Sequence, residues 1–283
     1  MSTSQEDLQA RARGLLESGE VDLVIGYGRG TNEQKTTPVF VTKADDIGQL
    51  VLDPFCRNNL AGWLTRKDLR AKFKRIGIVA KEPDVRAAIV LIQEEQVEPD
   101  AIRIIGVRID RPGDPTSPCS VLPQTTLEEL QTHLQHDVQP RDLTPQQLQA
   151  VEELEKKTPA ERWAFWRQQF DKCIRCYACR QACPMCYCDQ CIAQLNQPQW
   201  LDTSAHPRGN MAWNIVRAFH LAGRCINCGE CERVCPVNIP LMLLNRFLAR
   251  QVHLHFGYLA GYDTKDYQPF ATYKPEDRED FIL

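Results

Sequence analysis

The sequence predicts an α/β N-terminal domain joined to a mainly α-helical C-terminal domain, and three observations carry the prediction. Over the first 110 residues, short β-branched runs alternate with helical patterns, as a partly parallel sheet with crossover helices requires. A proline-rich seam then interrupts every regular period. Beyond it, eleven of the 13 cysteines fall between Cys173 and Cys235, a crowding that suits metal ligation better than a disulfide framework.

The 283 residues suffice for two domains, and 43% hydrophobic with 25% charged residues is ordinary globular usage. Thirty-four basic against 37 acidic side chains leave a net charge of −3, which gives no electrostatic case for nucleic acid or an anionic membrane. No apolar run approaches the roughly 20 residues that span a bilayer, so no transmembrane segment is expected. The start of the chain has neither a basic nor an apolar signal region, and a soluble, cytoplasmic protein with reduced thiols is expected.

Strands are expected over residues 21–27, 38–42, 75–80 and 102–109, with helices over 45–52, 58–69 and 84–96. The last helix places Val85, Ala88, Ile89 and Ile92 on one face. Gly26-Tyr-Gly28-Arg-Gly30 lacks the third glycine of a dinucleotide fingerprint and reads as a glycine-rich turn. The seam, Asp110-Arg-Pro-Gly-Asp-Pro-Thr-Ser-Pro118, can continue neither strand nor helix, so the first domain should end at 118. A helical linker is expected over 119–160. Within it, one helix runs over 126–134 and Thr144-Pro145 opens another, with threonine as N-cap and proline at the first helical position.

An iron–sulfur domain should follow over 161–255, with a tail over 256–283. Thr158-Pro159-Ala-Glu161 is a capping box, and its helix carries Trp163, Phe165, Trp166 and Phe170, an expected core stripe leading into the first clustered cysteine. The chain then reads Cys173-Ile-Arg-Cys176-Tyr-Ala-Cys179-Arg-Gln-Ala-Cys183-Pro184 and later Cys225-Ile-Asn-Cys228-Gly-Glu-Cys231-Glu-Arg-Val-Cys235-Pro236. Both are C-x2-C-x2-C-x3-C-P, the spacing that wraps a [4Fe–4S] cube, and in two-cluster ferredoxins the fourth cysteine ligates the other cube. Cys173, Cys176, Cys179 and Cys235 are therefore assigned to one cluster, and Cys225, Cys228, Cys231 and Cys183 to the second. Structural zinc, which pairs two C-x2-C knuckles, fits the third cysteine and trailing proline less well. The C-terminal fold expected is thus a bis-[4Fe–4S], ferredoxin-like one.

Eight assigned cysteines leave Cys56, Cys119, Cys186, Cys188 and Cys191. The three late ones are close enough in sequence to form part of a third metal centre, with Cys56 as the preferred fourth ligand; reduced thiols are the alternative. Arg175, Arg180, Arg224 and Arg233 flank the loops, where positive charge would favour reduced clusters. His206, His220, His253 and His255 read as helix or surface residues. No hydrolytic triad, P-loop or metalloprotease helix is present, which leaves redox options.

Val24-Ile-Gly-Tyr27, Thr37-Pro-Val-Phe40, Cys56-Arg-Asn-Asn-Leu60, Arg75-Ile-Gly-Ile-Val-Ala-Lys81 and Ile104-Ile-Gly-Val107 resemble the β-subunit family of deazaflavin-dependent hydrogenases and formate dehydrogenases. The pattern departs from that family at Lys81-Glu-Pro-Asp84 and after Gly106, where Val107-Arg-Ile109 replaces a cysteine-bearing stretch. The resemblance implies an electron-transfer subunit of an anaerobic oxidoreductase of the hydrogenase, formate dehydrogenase or heterodisulfide-reductase kind. It would carry two [4Fe–4S] clusters, with a third and FAD as options, and its partners would be a flavoprotein or a catalytic redox subunit. The alternative is a flavin-dependent β subunit that itself reduces or oxidises a deazaflavin or nicotinamide. The aromatic tail, with Phe256, Tyr258, Tyr262, Tyr267, Phe270 and Tyr273, is either a docking arm or a wrap around its own domain.

Overall fold

Strand β1 (Leu23–Arg29) buries its first six residues, as a strand covered on both faces must. The computed structural model describes residues 2–138, 144–195 and 197–273. After helix α1 (Ser2–Glu17) and β1 come β2 (Thr36–Val41), the single turn α2 (Lys67–Arg70), β3 (Ile76–Ala80), α3 (Glu82–Gln93), β4 (Ile102–Ile109) and β5 (Cys119–Val121). The sheet order is β2-β1-β3-β4-β5. Its centre is parallel, with Leu23 opposite Ile76 and Ile76 opposite Ile102. Both edge strands run antiparallel, Val41 opposite Val24 and Val121 opposite Val107. Helix α3 is the crossover between β3 and β4; Pro83 lies in its first turn and the Asp84 carboxylate accepts the Lys81 backbone N–H at 3.1 Å.

Several expectations move. Residues 45–52 and 58–69 do not form two continuous α-helices but shorter pieces, the 3-10 helices Ala44–Gln49 and Ala61–Trp63 and the single turn α2. Burial of Ile47, Leu50, Leu60 and Leu64 holds this stretch in place where helical periodicity does not. Gly26 and Gly28 lie within β1, not in a turn: a Cβ at Gly28 would stand 2.4 Å from Val39. The boundary at 118 also shifts, because β5 pairs with β4 and Leu130 of α4 (Leu127–His133) buries against Gly106. The sheet unit therefore extends through α4, into the stretch expected as linker.

The second half is helical: α5 (Pro145–Glu155), α6 (Pro159–Asp171), the single turn α7 (Ala178–Gln181), α8 (Pro207–His220), the single turn α9 (Glu230–Arg233) and α10 (Leu241–Phe256). After α10 the chain returns across α3. The Arg86 guanidinium donates to the Ala260 carbonyl at 2.9 Å and lies 4.4 Å over the Tyr262 ring, while Gln93 donates to the Asp263 carbonyl at 2.6 Å. Gly261 is left-handed at φ +82°, and a Cβ there would stand 2.5 Å from the Arg86 carbonyl, so the close approach requires glycine. Tyr258 and Tyr262 are buried in this wrap; Phe256, Tyr267, Phe270 and Tyr273 stay exposed.

Candidate metal centre

The two cysteine loops repeat one backbone conformation. Helix α6 starts from its capping box, with Glu161 accepting the Thr158 N–H at 2.8 Å, and ends just before Cys173. In the first loop Arg175 and Tyr177 are left-handed, φ 56° and 57°; in the second, Asn227 and Gly229 match them at 57° and 78°. Three of these four are not glycine, and each costs about 1–2 kcal/mol in that conformation, so the surroundings must hold it. The reward is a concave loop of the kind that turns backbone N–H groups on an anion. In each copy the second left-handed residue opens a one-turn helix, α7 or α9, that bears the third cysteine.

Packing of α7 against α9 crosses the loops. Cys179 lies within electrostatic reach of Cys173, Cys176 and Cys235, and Cys228 within reach of Cys183, Cys225 and Cys231. Each fourth cysteine thus lies within that reach of a cysteine of the other loop, and Cys179 and Cys231 lie within reach of each other. Among the described residues no three His, Cys, Asp or Glu side chains are drawn close enough to hold one metal ion, as thiolates about 2.3 Å from a zinc would be.

Apolar side chains wall the region. Phe170, Ile239, Leu241 and Met242 pack with Cys231, with Cys173, Cys179 and Cys235 alongside. Trp166 stacks on Phe170 with centroids 5.3 Å apart, whereas Trp163, expected in the same stripe, is exposed. Burial pushes the Cys231 thiol up to about 12 and raises Cys179, Cys225 and Cys228 as well. Such thiols ionise when a metal replaces the proton. Donors are already aimed at sulfur: the Ile239 N–H at Cys235 Sγ, 3.4 Å, and Asn245 Nδ2 at Cys231 Sγ, 3.6 Å.

The four arginines flanking the loops are each engaged. Arg175 donates to the Gly209 carbonyl at 2.7 Å, Arg180 to the Cys188 carbonyl at 2.6 Å, Arg224 to Glu94 at 2.7 Å, and Arg233 to Asn58 Oδ1 at 2.8 Å. A further cation that faces the thiols is Arg217 on α8. Burial alone would lower its pKa, but the charges of Cys183, Cys186, Cys179 and Cys231 raise it. Sequence reading passed over Arg217. The available signal was its place one turn after Trp213, on the helix face that is buried.

Of the cysteines expected at a third centre, Cys56 and Cys186 are engaged elsewhere. Cys56 is fully buried and its thiol points to the Val51 carbonyl, 3.7 Å, and Asp53 Oδ1, 3.6 Å. Cys186 donates to the Cys183 sulfur, which raises its own pKa and lowers that of Cys183. Cys188 is exposed and Cys191 half-buried. His206 caps α8, its Nδ1 accepting the Arg208 N–H at 3.3 Å.

Paired loops of this conformation, each with four cysteines, suit a pair of ferredoxin-type clusters. Residues 168–239 match the 4Fe-4S dicluster domain family. The chain is 33% identical over 98 residues to the "F420-dependent formate dehydrogenase subunit beta" of Methanocaldococcus jannaschii, covering 35% of this chain and 25% of that protein. It is 36% identical over 110 residues to the "F420-dependent formate dehydrogenase 1 subunit beta" of Methanococcus maripaludis, covering 39% and 27%. This chain is therefore related to the β-subunit family of deazaflavin-dependent enzymes, and spans about a quarter of the length of the curated relatives it matches. A structure of the F420-reducing [NiFe] hydrogenase complex from Methanosarcina barkeri aligns over 47% of this chain and 43% of that one, at 15% identity and a TM-score of 0.30, too low to bear on the fold. Among the described residues no helix is long and apolar enough to cross a membrane.

Proposed function

We propose that this chain is an iron–sulfur electron-transfer subunit of a multi-subunit oxidoreductase, with Cys173, Cys176, Cys179 and Cys235 holding one [4Fe–4S] cluster and Cys225, Cys228, Cys231 and Cys183 the other. What supports it is the packing of α7, which bears Cys179, against α9, which bears Cys231, with Cys235 in electrostatic reach of Cys179 and Cys183 in reach of Cys228. Two such clusters supply one-electron storage and transfer. The chain's own residues give them a setting. The left-handed loops turn N–H groups inward, Phe170, Ile239 and Met242 exclude water, and the donors at Cys231 and Cys235 stabilise negative charge on sulfur as electrons arrive. The α/β unit holds this module from one side through Glu94 and Asn58.

A second reading, a flavin-bearing β subunit that works on a deazaflavin or nicotinamide itself, has one observation in its favour. A cleft of about 890 Å³ runs between the two halves, and Trp63, Arg180, Cys183, Cys186, Tyr187 and Arg233 are among its lining residues. A flavin seated there would have an aromatic wall and a cluster ligand at its edge.

Anaerobic purification from the native source, with flavin counted per chain and copurifying subunits identified, separates the readings. Copurification with a catalytic redox subunit and no flavin supports the relay. Stoichiometric flavin with unaided reduction of a soluble deazaflavin or nicotinamide supports the second reading, and an isolated colourless chain overturns both.

A further inference from the structure

The two cysteine loops share a backbone conformation but not a setting. Ile226, in the second loop, is 2% exposed and joins the hydrophobic core built around the sheet, and Cys183, Cys225 and Cys228 pack against that core. Glu94 and Asn58 grip the same side, accepting from Arg224 at 2.7 Å and from Arg233 at 2.8 Å. Gly62 closes on it too, since a Cβ there would stand 3.5 Å from Pro184 Cα. Ile174 is the counterpart of Ile226 in the first loop, and it is 56% exposed. Cys173, Cys179 and Cys235 pack in the helical core around Phe170 and Met242, while Cys176 is exposed. The face that the second loop presents to its own α/β unit is therefore the face that the first loop leaves open.

Charge separates the loops as well. Over residues 171–183, Lys172, Arg175 and Arg180 outnumber Asp171, whereas over the equivalent residues 223–235, Arg224 and Arg233 are matched by Glu230 and Glu232. The three cations of the first loop donate to neutral oxygens: Arg175 to the Gly209 carbonyl at 2.7 Å, Arg180 to the Cys188 carbonyl at 2.6 Å, and Lys172 to the Gln169 side chain at 2.7 Å. A cube would add the same charge to either loop, so the difference between them stands.

Resting on the two-cluster reading above, we infer that the open face around Lys172, Ile174 and Cys176 is the docking surface for an acidic one-electron carrier protein, which exchanges its electron with the first cluster while the second lies inward against the α/β unit. Ile174 supplies an apolar centre for the contact, and Lys172 a charge at its rim that draws an acidic partner in. The exchange makes and breaks no bond.

The test uses the full-length, iron-loaded chain, reduced with dithionite and then freed of it, with plastocyanin as an acidic copper carrier. In stopped flow, one electron leaves the chain and takes Cu(II) to Cu(I). The second-order rate constant should fall as ionic strength rises from about 0.01 to about 0.15 M. Ile174→Glu and Lys172→Glu should each lower it about tenfold at the lower salt, with iron content and electron paramagnetic resonance spectra as in wild type. Phe270→Glu, at an exposed ring beside Gly223 and so on the side of the second loop, should change it less than about twofold. Carbodiimide coupling to plastocyanin carboxylates should label Lys172 ahead of Lys265, which lines the groove that holds Phe270. A rate that rises with salt, wild-type rates in both loop variants, or the larger loss and the cross-link on the side of Phe270 and Lys265 overturns the inference. Should Ile174→Glu load iron poorly, Lys172→Glu and the cross-link decide. An iron-free wild-type chain would instead remove the two-cluster reading itself.

Discussion

Arg224 donates to the Glu94 carboxylate at 2.7 Å, and this pair ties the end of α3 in the sheet unit to the residue just before Cys225. Glu94 also accepts the Tyr187 hydroxyl at 3.0 Å, and Arg224 lies 5.0 Å over the Tyr187 ring. With 8% and 17% side-chain exposure the pair is largely out of water, so removing one partner strands the other. Glu94→Ala should cost about 3 kcal/mol of stability, read by urea unfolding of the iron-loaded protein. Glu94→Gln should recover part of that loss by keeping the hydrogen bonds. A change below about 0.5 kcal/mol in Glu94→Ala would show that the contact joins the halves without stabilising them.

Cys56 makes the alkaline limb of stability predictable. Burial, more than any other influence, pushes its thiol from 9.0 up to about 12. The folded state thus holds the proton more tightly than the unfolded chain. Stability is intact below pH 9 and falls as pH rises toward 12, by about 1.4 kcal/mol per unit for one thiol. Cys56→Ser should remove this share of the slope while leaving iron content unchanged. Loss of iron in that variant would instead make Cys56 a ligand, as the third-centre expectation held.

Gly261 reports on the wrap of the tail across α3. An alanine there meets the Arg86 carbonyl at 2.5 Å and takes on the left-handed penalty, so Gly261→Ala should destabilise by about 2 kcal/mol. Limited proteolysis should then cut beyond residue 256 faster than in wild type, and an unchanged cleavage rate would contradict the packing of Tyr258 and Tyr262 on the sheet unit.

What could be read in advance followed from how local each signal is. Five of the eight residues over 102–109 are Ile or Val, and the strand Ile102–Ile109 has those bounds. The cysteine loops are local motifs, so their spacing pointed to iron–sulfur chemistry, and residues 168–239 match a 4Fe-4S dicluster domain. Residues 45–69 misled because their apolar side chains are buried by the sheet and by α1, not by a helix of their own. The strand Cys119–Val121 was hidden behind prolines, since its partner β4 lies across the seam. Arg217 was invisible as a site because its meaning depends on cysteines 31 to 38 residues before it and 8 to 14 after it.

The central claim is that two crossed quartets of cysteines hold two [4Fe–4S] clusters. Its most direct test is iron and acid-labile sulfide counted per chain, anaerobically, in wild type and in Cys235→Ser. About eight irons are predicted for wild type, with a brown colour bleached by dithionite. In Cys235→Ser the signal that weakens should be the one Cys176→Ser perturbs, although Cys235 lies in the second motif. Zinc in place of iron, about four irons in wild type, or a Cys235→Ser lesion confined to the signal that Cys228→Ser perturbs would contradict the account.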